Sequence, residues 1–426
     1  MASPYPDGDR EKVASKLPSG LQQQLKVRAA ELGLDIQEAV EAAITIWRAS
    51  NRPSDEIDTA GAKSFSTWLP PGFYDDFKTT CADRNVSYTQ GLAQSIRLWL
   101  TTNPSPKDRH AHEVRRVIIA NQKGGVGKTT ITLGMGQVLA EDPASAEANL
   151  RGFIENLPFS DLKRIGAIKA TLLQELEGAE LGGLRVLVVD YDPQSHLTKQ
   201  LGLDQIRPGQ ESLIKHMVGD GEKTLREVIV NVDVPGFTGR LDVLPGAHDG
   251  FLLDSRLAIT ASQSRGFQKE VALERALRTV EDDYDVVLID CPPSLGLAMD
   301  AALYYARRRR NELPNRSGVI IPVQAEDSSA DAYEMLIEQI DVLCKDLALE
   351  IDYLGIVVNQ YDARRGYVAT SSLDSWNDIE GQTVLAVLDD LKEQREAVRT
   401  KRPLLAYAPH SKQANTMRLI AARAGS

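Results

Sequence analysis

At 426 residues, of which 42% are hydrophobic and 26% charged, the chain is long enough for two or three packed domains, and a globular protein is expected. Its 49 Lys and Arg stand against 60 Asp and Glu, a formal charge of −11, so any basic surface must be a local patch. Three widely spaced cysteines, Cys81, Cys291 and Cys344, fit neither a disulfide framework nor a CxxC metal or redox pair; with no run near the roughly 18 apolar residues of a membrane span and no apolar leader core in MASPYPDGDREK, a soluble protein of a reducing cytoplasm is expected.

The front of the chain repeats itself. Displaced by 52 positions, Leu17, Pro18, Gly20, Leu21, Leu25 and Lys26 fall on Leu69, Pro70, Gly72, Phe73, Phe77 and Lys78, while Ile44 and Trp47 fall on Ile96 and Trp99. Each copy, about 11–50 and 63–102, predicts a short alternating strand (12–17; 64–69), a helix opened by the Leu-Pro step, a turn and a second helix. Asp35 with Glu38, and Ser87 with Gln90, have the spacing that satisfies orphan amides at the start of the second helices. One such unit is too small to bury its own apolar face, whereas two in one chain can bury each other's. The pattern resembles the ribbon-helix-helix fold, whose paired strands enter the DNA major groove as a homodimer, here in tandem. By alternation Val13, Leu17, Phe65 and Leu69 face inward and Lys12, Ala14, Lys16, Ser64, Ser66 and Trp68 outward. Small polar and basic groups suit base-edge readout, so Lys12, Lys16, Ser64 and Ser66 are candidate DNA contacts; Trp68 does not suit it. Thirteen Lys and Arg against fourteen Asp and Glu over residues 1–110 leave a protein-docking or dimerisation module as the alternative.

Residues 103–113, NPSPKDRHAHE, are polar and without periodicity and read as a linker. Behind them RRVIIAN, LRVLVVDYD, LDVLPG, YDVVLIDCPP, SGVIIPVQ and DYLGIVVNQYD alternate with helical stretches. Runs so dense in Val, Ile and Leu suit parallel strands covered on both faces, which predicts an α/β domain over 114–426 with a doubly wound, mostly parallel sheet. A helical insertion is expected over about 142–183.

The first of these strands runs into NQKGGVGKTT, Asn121 to Thr130. The phosphate-binding loop pattern is G-x-x-x-x-G-K-[ST]; here Gln122 stands where its first glycine belongs, and a second lysine, Lys123, is present. The amides of Gly124, Gly125 and Gly127 can approach phosphates, and the following helix adds its positive end. Lys128 is expected to reach the β- and γ-phosphates and Thr129 to ligate Mg²⁺, with Thr130 completing the nucleotide contacts.

The loop in this form resembles the deviant Walker A motif of the ParA/MinD family of ATPases, and the resemblance runs over 114–426. VLVVDYDPQSHLT resembles that family's first switch segment and YDVVLIDCPPSLG its Walker B and second switch. The resemblance implies that Asp192 orients the attacking water, that Asp290 supports Mg²⁺, that Asp190 ends a strand and positions the loop, and that Asn359 contacts adenine. A second ammonium beside its own subunit's triphosphate would be redundant with Lys128. In the family the extra lysine reaches the partner's phosphates, which makes Lys123 a trans-acting catalytic residue beside Lys128 and Asp192, and makes the ATP-bound form a homodimer.

A ParA-type member would partition DNA. Its dimer would coat DNA without sequence preference, associate with the nucleoid, and be stimulated by a ParB-like centromere-binding partner. Arg395, Arg399, Lys401 and Arg402 form one candidate DNA-binding cluster and Arg307 to Arg310 another, although charge runs are usually solvated faces. The end of the chain, KQANTMRLIAARAGS, lacks the aromatic face of a membrane-binding helix and fits the ParA closing helix better. The rival expectation is a positioning or scaffold ATPase that distributes a protein cargo, with the front module as its adaptor.

Overall fold

Alternation builds the front unit. In β1 (Glu11–Leu17) and β2 (Lys63–Leu69), Val13, Leu17, Phe65, Thr67 and Leu69 are buried, while Lys12, Ala14, Lys16, Ser64, Ser66 and Trp68 are exposed. The strands pair antiparallel over seven residues, from Glu11 opposite Leu69 to Leu17 opposite Lys63. The computed structural model describes residues 10–31, 34–50, 57–103, 114–156, 169, 171–174, 179, 181–264, 266–310, 312–326, 328–362, 364, 367–390 and 392–424. The chain divides into two compact units, Met1–His112 and Glu113–Ser426.

Each strand of the front unit is followed by two helices, α1 (Ser19–Glu31) and α2 (Ile36–Ala49), then α3 (Phe73–Asp83) and α4 (Tyr88–Thr102). The Asp35 amide donates to Glu38 Oε2 at 2.9 Å and Ser87 Oγ accepts from the Gln90 amide at 3.1 Å, so both second helices start where side chains satisfy their free amides. Leu17, Leu25, Ile44 and Trp47 of one copy pack with Leu69, Phe77, Ile96 and Trp99 of the other in one core. Full burial of such side chains contributes about 1.5–3 kcal/mol each, and neither copy could bury them alone. Arg84 ties the copies together: its guanidinium lies 4.3 Å from the Trp47 ring centroid and donates to the carbonyls of Trp47, Arg48 and Ser50, capping the end of α2.

The second unit is an eight-stranded sheet: β3 (Arg115–Ile119), β4 (Val186–Asp190), β5 (Val230–Asn231), β6 (Leu241–Leu244), β7 (Val286–Asp290), β8 (Gly318–Gln324), β9 (Tyr353–Tyr361) and β10 (Val384–Asp389), in the order β10-β9-β8-β3-β7-β4-β6-β5. Every pairing is parallel except β5 with β6. All five residues of β3, β4 and β7 are buried, which is why Val117–Ile119, Val186–Val189 and Val286–Ile289 are unbroken apolar runs. Six apolar runs mark six strands; β5, two exposed residues long, and β10, a half-covered edge, are additional. In such sheets ligands bind beyond the carboxyl ends of the strands, where β3, β4 and β7 deliver the loops after Ile119, Asp190 and Asp290.

Within 142–183 a helix spans Pro143–Glu155, started by Asp142, whose Oδ1 accepts from the Ser145 amide at 3.0 Å; 157–168, 170, 175–178 and 180 lie outside the described residues, as do linker residues 104–113. The closing helix Lys412–Arg423 buries Met417, Arg418 and Ile420. Arg418 pairs with Glu141 at 2.6 Å, and the apolar groups of this helix are spent on the core rather than on an outer face. Among the described residues no helix is long and apolar enough to cross a membrane.

Candidate nucleotide-binding site

The loop after β3 takes its shape from glycine and from braces behind it. Gly125 (φ +77°) and Gly127 (φ +95°) occupy the left-handed region, and a Cβ on Gly127 would lie 2.0 Å from Asn359 Nδ2. Gly124 has open space around the position a Cβ would take, so nothing in the chain itself requires a glycine there. Asn121, fully buried, donates to the Pro322 carbonyl at 2.7 Å and accepts the Lys123 amide at 2.9 Å. Asn359 Nδ2 donates to the Val126 carbonyl at 2.9 Å and Gln360 Nε2 to the Gly125 carbonyl at 3.2 Å. The ends of β8 and β9 thus hold the loop from behind. Asn359, 5% exposed, thereby braces the phosphate loop through one of its amide hydrogens.

The two lysines part company. Lys128 opens the helix Lys128–Ala140 and lies 7% exposed, its Nζ donating to the carbonyls of Asn121 and Lys123, both at 3.0 Å. Burial pushes its pKa down, opposed by the charges of Asp290 and Asp192, so an anion placed in the loop would meet a cation already desolvated. Lys123 turns away instead: Nζ donates to Glu326 Oε1 at 2.7 Å, Ser328 Oγ at 2.7 Å and Ser329 Oγ at 3.3 Å, all on the segment after β8. Thr129 and Thr130 sit half-buried in the first helical turn.

Three carboxylates face this loop. Asp290 ends β7 at 1% exposure, and its Oδ2 accepts from Thr129 Oγ1 at 2.8 Å while its Oδ1 is buried with no partner among the described residues. Burial first, and then the charges of Asp190 and Asp192, hold its pKa well above the usual carboxylate range. An unpartnered, desolvated oxygen beside a threonine hydroxyl is the donor set of a hard cation, and Mg²⁺ fits it. Asp190, opposite Asp290 in the β4–β7 register, accepts from the Thr198 amide at 2.8 Å and the Thr198 hydroxyl at 2.5 Å; that hydroxyl accepts from the Gly246 amide at 2.9 Å. Asp190 is therefore the anchor of segment 191–198. Asp192 accepts from the Gln194 amide at 2.9 Å and its carbonyl from the Ser195 amide at 2.8 Å; this tight turn puts Ser195 at φ +52°. On the far side, Asp254 Oδ1 accepts from the Ala298 amide at 2.8 Å and pins the exit of the segment after Asp290.

Residues 117–177 match the CobQ/CobB/MinD/ParA nucleotide binding domain, and residues 166–353 match an AAA domain family. The chain is 26% identical over 298 residues to the sporulation initiation inhibitor protein Soj of Bacillus subtilis, covering 70% of this chain and 93% of that protein. The chain is similar to the ParA/MinD/CobQ group of deviant Walker A ATPases. The chain is also 27% identical over 297 residues to the chromosome partitioning protein ParA of Caulobacter vibrioides (70% and 88% covered) and 28% identical over 322 residues to an uncharacterized Mycobacterium tuberculosis protein (75% and 81% covered). A structure of Cyanothece McdA in an ATP complex shares its fold with a TM-score of 0.51 at 16% identity, over 72% of this chain and 96% of that one.

In this ATPase the basic candidates divide. Arg307 pairs with Glu274, Arg308 with Glu350 and Asp352, and Arg309 with Glu274 and Glu281, so the expected cluster Arg307 to Arg310 is corrected: three of its four guanidinium groups are taken by carboxylates of the same domain. Arg395 pairs with Asp390 and Arg402 donates to the Ala406 carbonyl at 3.1 Å, both at exposed positions; Arg399 and Lys401 are exposed on and just after the helix Lys392–Thr400. Asn121, Thr198, Asp254 and Glu326 escape a motif reading, although Asn121 and Thr198 lie inside NQKGGVGKTT and VLVVDYDPQSHLT and Glu326 follows SGVIIPVQ by two residues.

Asp190 gives the ATPase a testable pH response. Burial, and then the charge of Asp192, push its carboxyl up to about 6 from 3.8, against the two hydrogen bonds from Thr198. For an acid with a raised folded pKa the penalty is absent below about pH 4 and complete above about pH 6. The difference of about two units corresponds to about 3 kcal/mol. Asparagine offers the same acceptor and cannot ionise. Asp190→Asn is therefore expected to raise the thermal midpoint of nucleotide-free protein above pH 6 and to leave it unchanged at pH 4; a constant offset at both would show that the carboxylate is not desolvated.

Proposed function

We propose that the chain is an Mg²⁺-dependent ATP hydrolase that partitions DNA. ATP binding joins two copies into a state that holds DNA without sequence preference, and hydrolysis, stimulated by a ParB-like centromere-binding partner, releases it. The observation that carries this reading is the divergence of the two loop lysines. Lys128 is buried under the phosphate loop, whereas Lys123 leaves it altogether, as a lysine serving another subunit's nucleotide must. Gly124, Gly125, Gly127, Thr129 and Thr130 cradle the triphosphate. Thr129 and Asp290 would hold Mg²⁺, which neutralises charge on the transferred phosphoryl group when bound. Asp192, at the head of the turn 192–195, orients the attacking water. Relatives named for chromosome partitioning support a DNA cargo.

Exposed Arg395, Arg399, Lys401 and Arg402 supply the nonspecific contacts, and Lys12, Lys16, Ser64 and Ser66 those of the ribbon-helix-helix-like module. The near-neutral balance of residues 1–110, thirteen Lys and Arg against fourteen Asp and Glu, favours a second reading: a positioning ATPase whose module grips a protein cargo.

Asp192→Ala separates the two readings. It is expected to trap the ATP-bound dimer, to stop turnover, and to hold random-sequence duplex with an affinity that drops about 10³ to 10⁵-fold between 50 and 200 mM salt, as neutralising six to ten phosphates requires. A trapped dimer with no affinity for DNA would favour the protein-cargo reading. Unchanged turnover would remove Asp192 from the reaction.

A further inference from the structure

The two strands of the front ribbon belong to one chain, and this changes what the ribbon can read. The central pair of the register is Ala14 opposite Ser66, separated by the same 52 positions as the repeat. An approximate two-fold axis therefore passes through that pair and relates Lys12 to Ser64, Ala14 to Ser66 and Lys16 to Trp68. A ribbon made from two identical chains would carry identical residues at related positions and would demand an inverted repeat. Here all three outward pairs differ.

The ends differ in chemistry as well as in sequence. At one end Lys12 lies opposite Trp68, which is 48% exposed, beside Glu11, whose carboxylate accepts from the Gly72 amide at 3.2 Å. At the other Lys16 lies opposite Ser64, beside exposed Lys63. One end offers an ammonium and a broad apolar ring, suited to a thymine methyl; the other offers an ammonium and a short hydroxyl, suited to guanine acceptors and phosphate. The exposed tryptophan, unsuited to a symmetric polar reader, becomes the residue that distinguishes the ends.

We propose that the ribbon of a single chain recognises a non-palindromic duplex DNA site, with the Lys12–Trp68 end on a thymine-containing step and the Lys16–Ser64 end on a guanine-containing one. This rests on the reading of the front module as a DNA-binding element. It gives each chain a polarity on its specific site that a homodimeric ribbon lacks.

Selection of bound duplexes from a randomised library by the full-length chain, without nucleotide, tests it. The expected consensus has no dyad symmetry. Trp68→Ala is expected to relax base preference at one end of that consensus tenfold or more, with the other end unchanged. Lys12→Ser combined with Trp68→Lys restores matching residues at the related outer positions, and its consensus is expected to become an inverted repeat. A wild-type consensus that is already an inverted repeat, or equal relaxation of both ends by Trp68→Ala, would overturn the proposal and leave the DNA-binding reading standing. Absence of any enriched sequence would overturn both.

Discussion

Lys128→Ala is expected to abolish nucleotide binding. The ammonium is held under the loop by the carbonyls of Asn121 and Lys123, each 3.0 Å away, and its pKa is lowered by burial, so it is positioned and desolvated before any ligand arrives. Hydrogen bonds to charged groups contribute about 1.5–3 kcal/mol each, so losing contacts to two phosphates should weaken ATP binding by roughly 10² to 10⁴-fold in equilibrium titration. The same substitution frees two loop carbonyls, and a thermal scan on the variant separates loosening of the loop from loss of the phosphate contact. Tight ATP binding by a folded Lys128→Ala variant would take this residue out of the phosphate cradle.

Lys123→Ala is expected to act differently. Its ammonium makes its contacts with Glu326, Ser328 and Ser329, away from its own loop. The variant should bind ATP nearly as well as the parent, remain monomeric and lose turnover by about 10³ to 10⁵-fold, the range a trans-supplied cation contributes in phosphoryl transfer. To serve a partner's phosphates, Lys123 must leave Glu326. That exchange sets a cost on dimerisation which ATP has to offset, and Glu326→Gln should therefore ease assembly at a given ATP concentration. Sedimentation with a non-hydrolysable triphosphate reads both variants in one series.

Much of this was legible in the chain because local pattern and tertiary role coincide. β3, β4 and β7 are covered on both faces, and their Val, Ile and Leu runs give way to polar residues only at the ends, at Arg115, Arg116, Asp190 and Asp290. The tandem repeat could be read because both copies keep the same inward residues, down to Trp47 and Trp99. β10 escaped because it is an edge strand with only half of its positions buried, so its pattern is weaker than that of the central strands. The arginine run 307–310 misled for another reason. Its carboxylate partners, Glu274, Glu281, Glu350 and Asp352, are distant in sequence, and no local pattern reveals a charge paired through the fold. Asn359 shows the same limit: position within a motif places it near the site, but only the three-dimensional fold reveals its hydrogen bond to the Val126 carbonyl.

The central claim is that the γ-phosphate is shared between two copies through Lys123. Molar mass in solution by light scattering, measured on the intact chain with a non-hydrolysable triphosphate and Mg²⁺, with ADP and Mg²⁺, and without nucleotide, tests it most directly. A dimer of this 46.8 kDa chain in the first condition alone, abolished by Lys123→Ala, is the predicted result. One mass in all three conditions would contradict it.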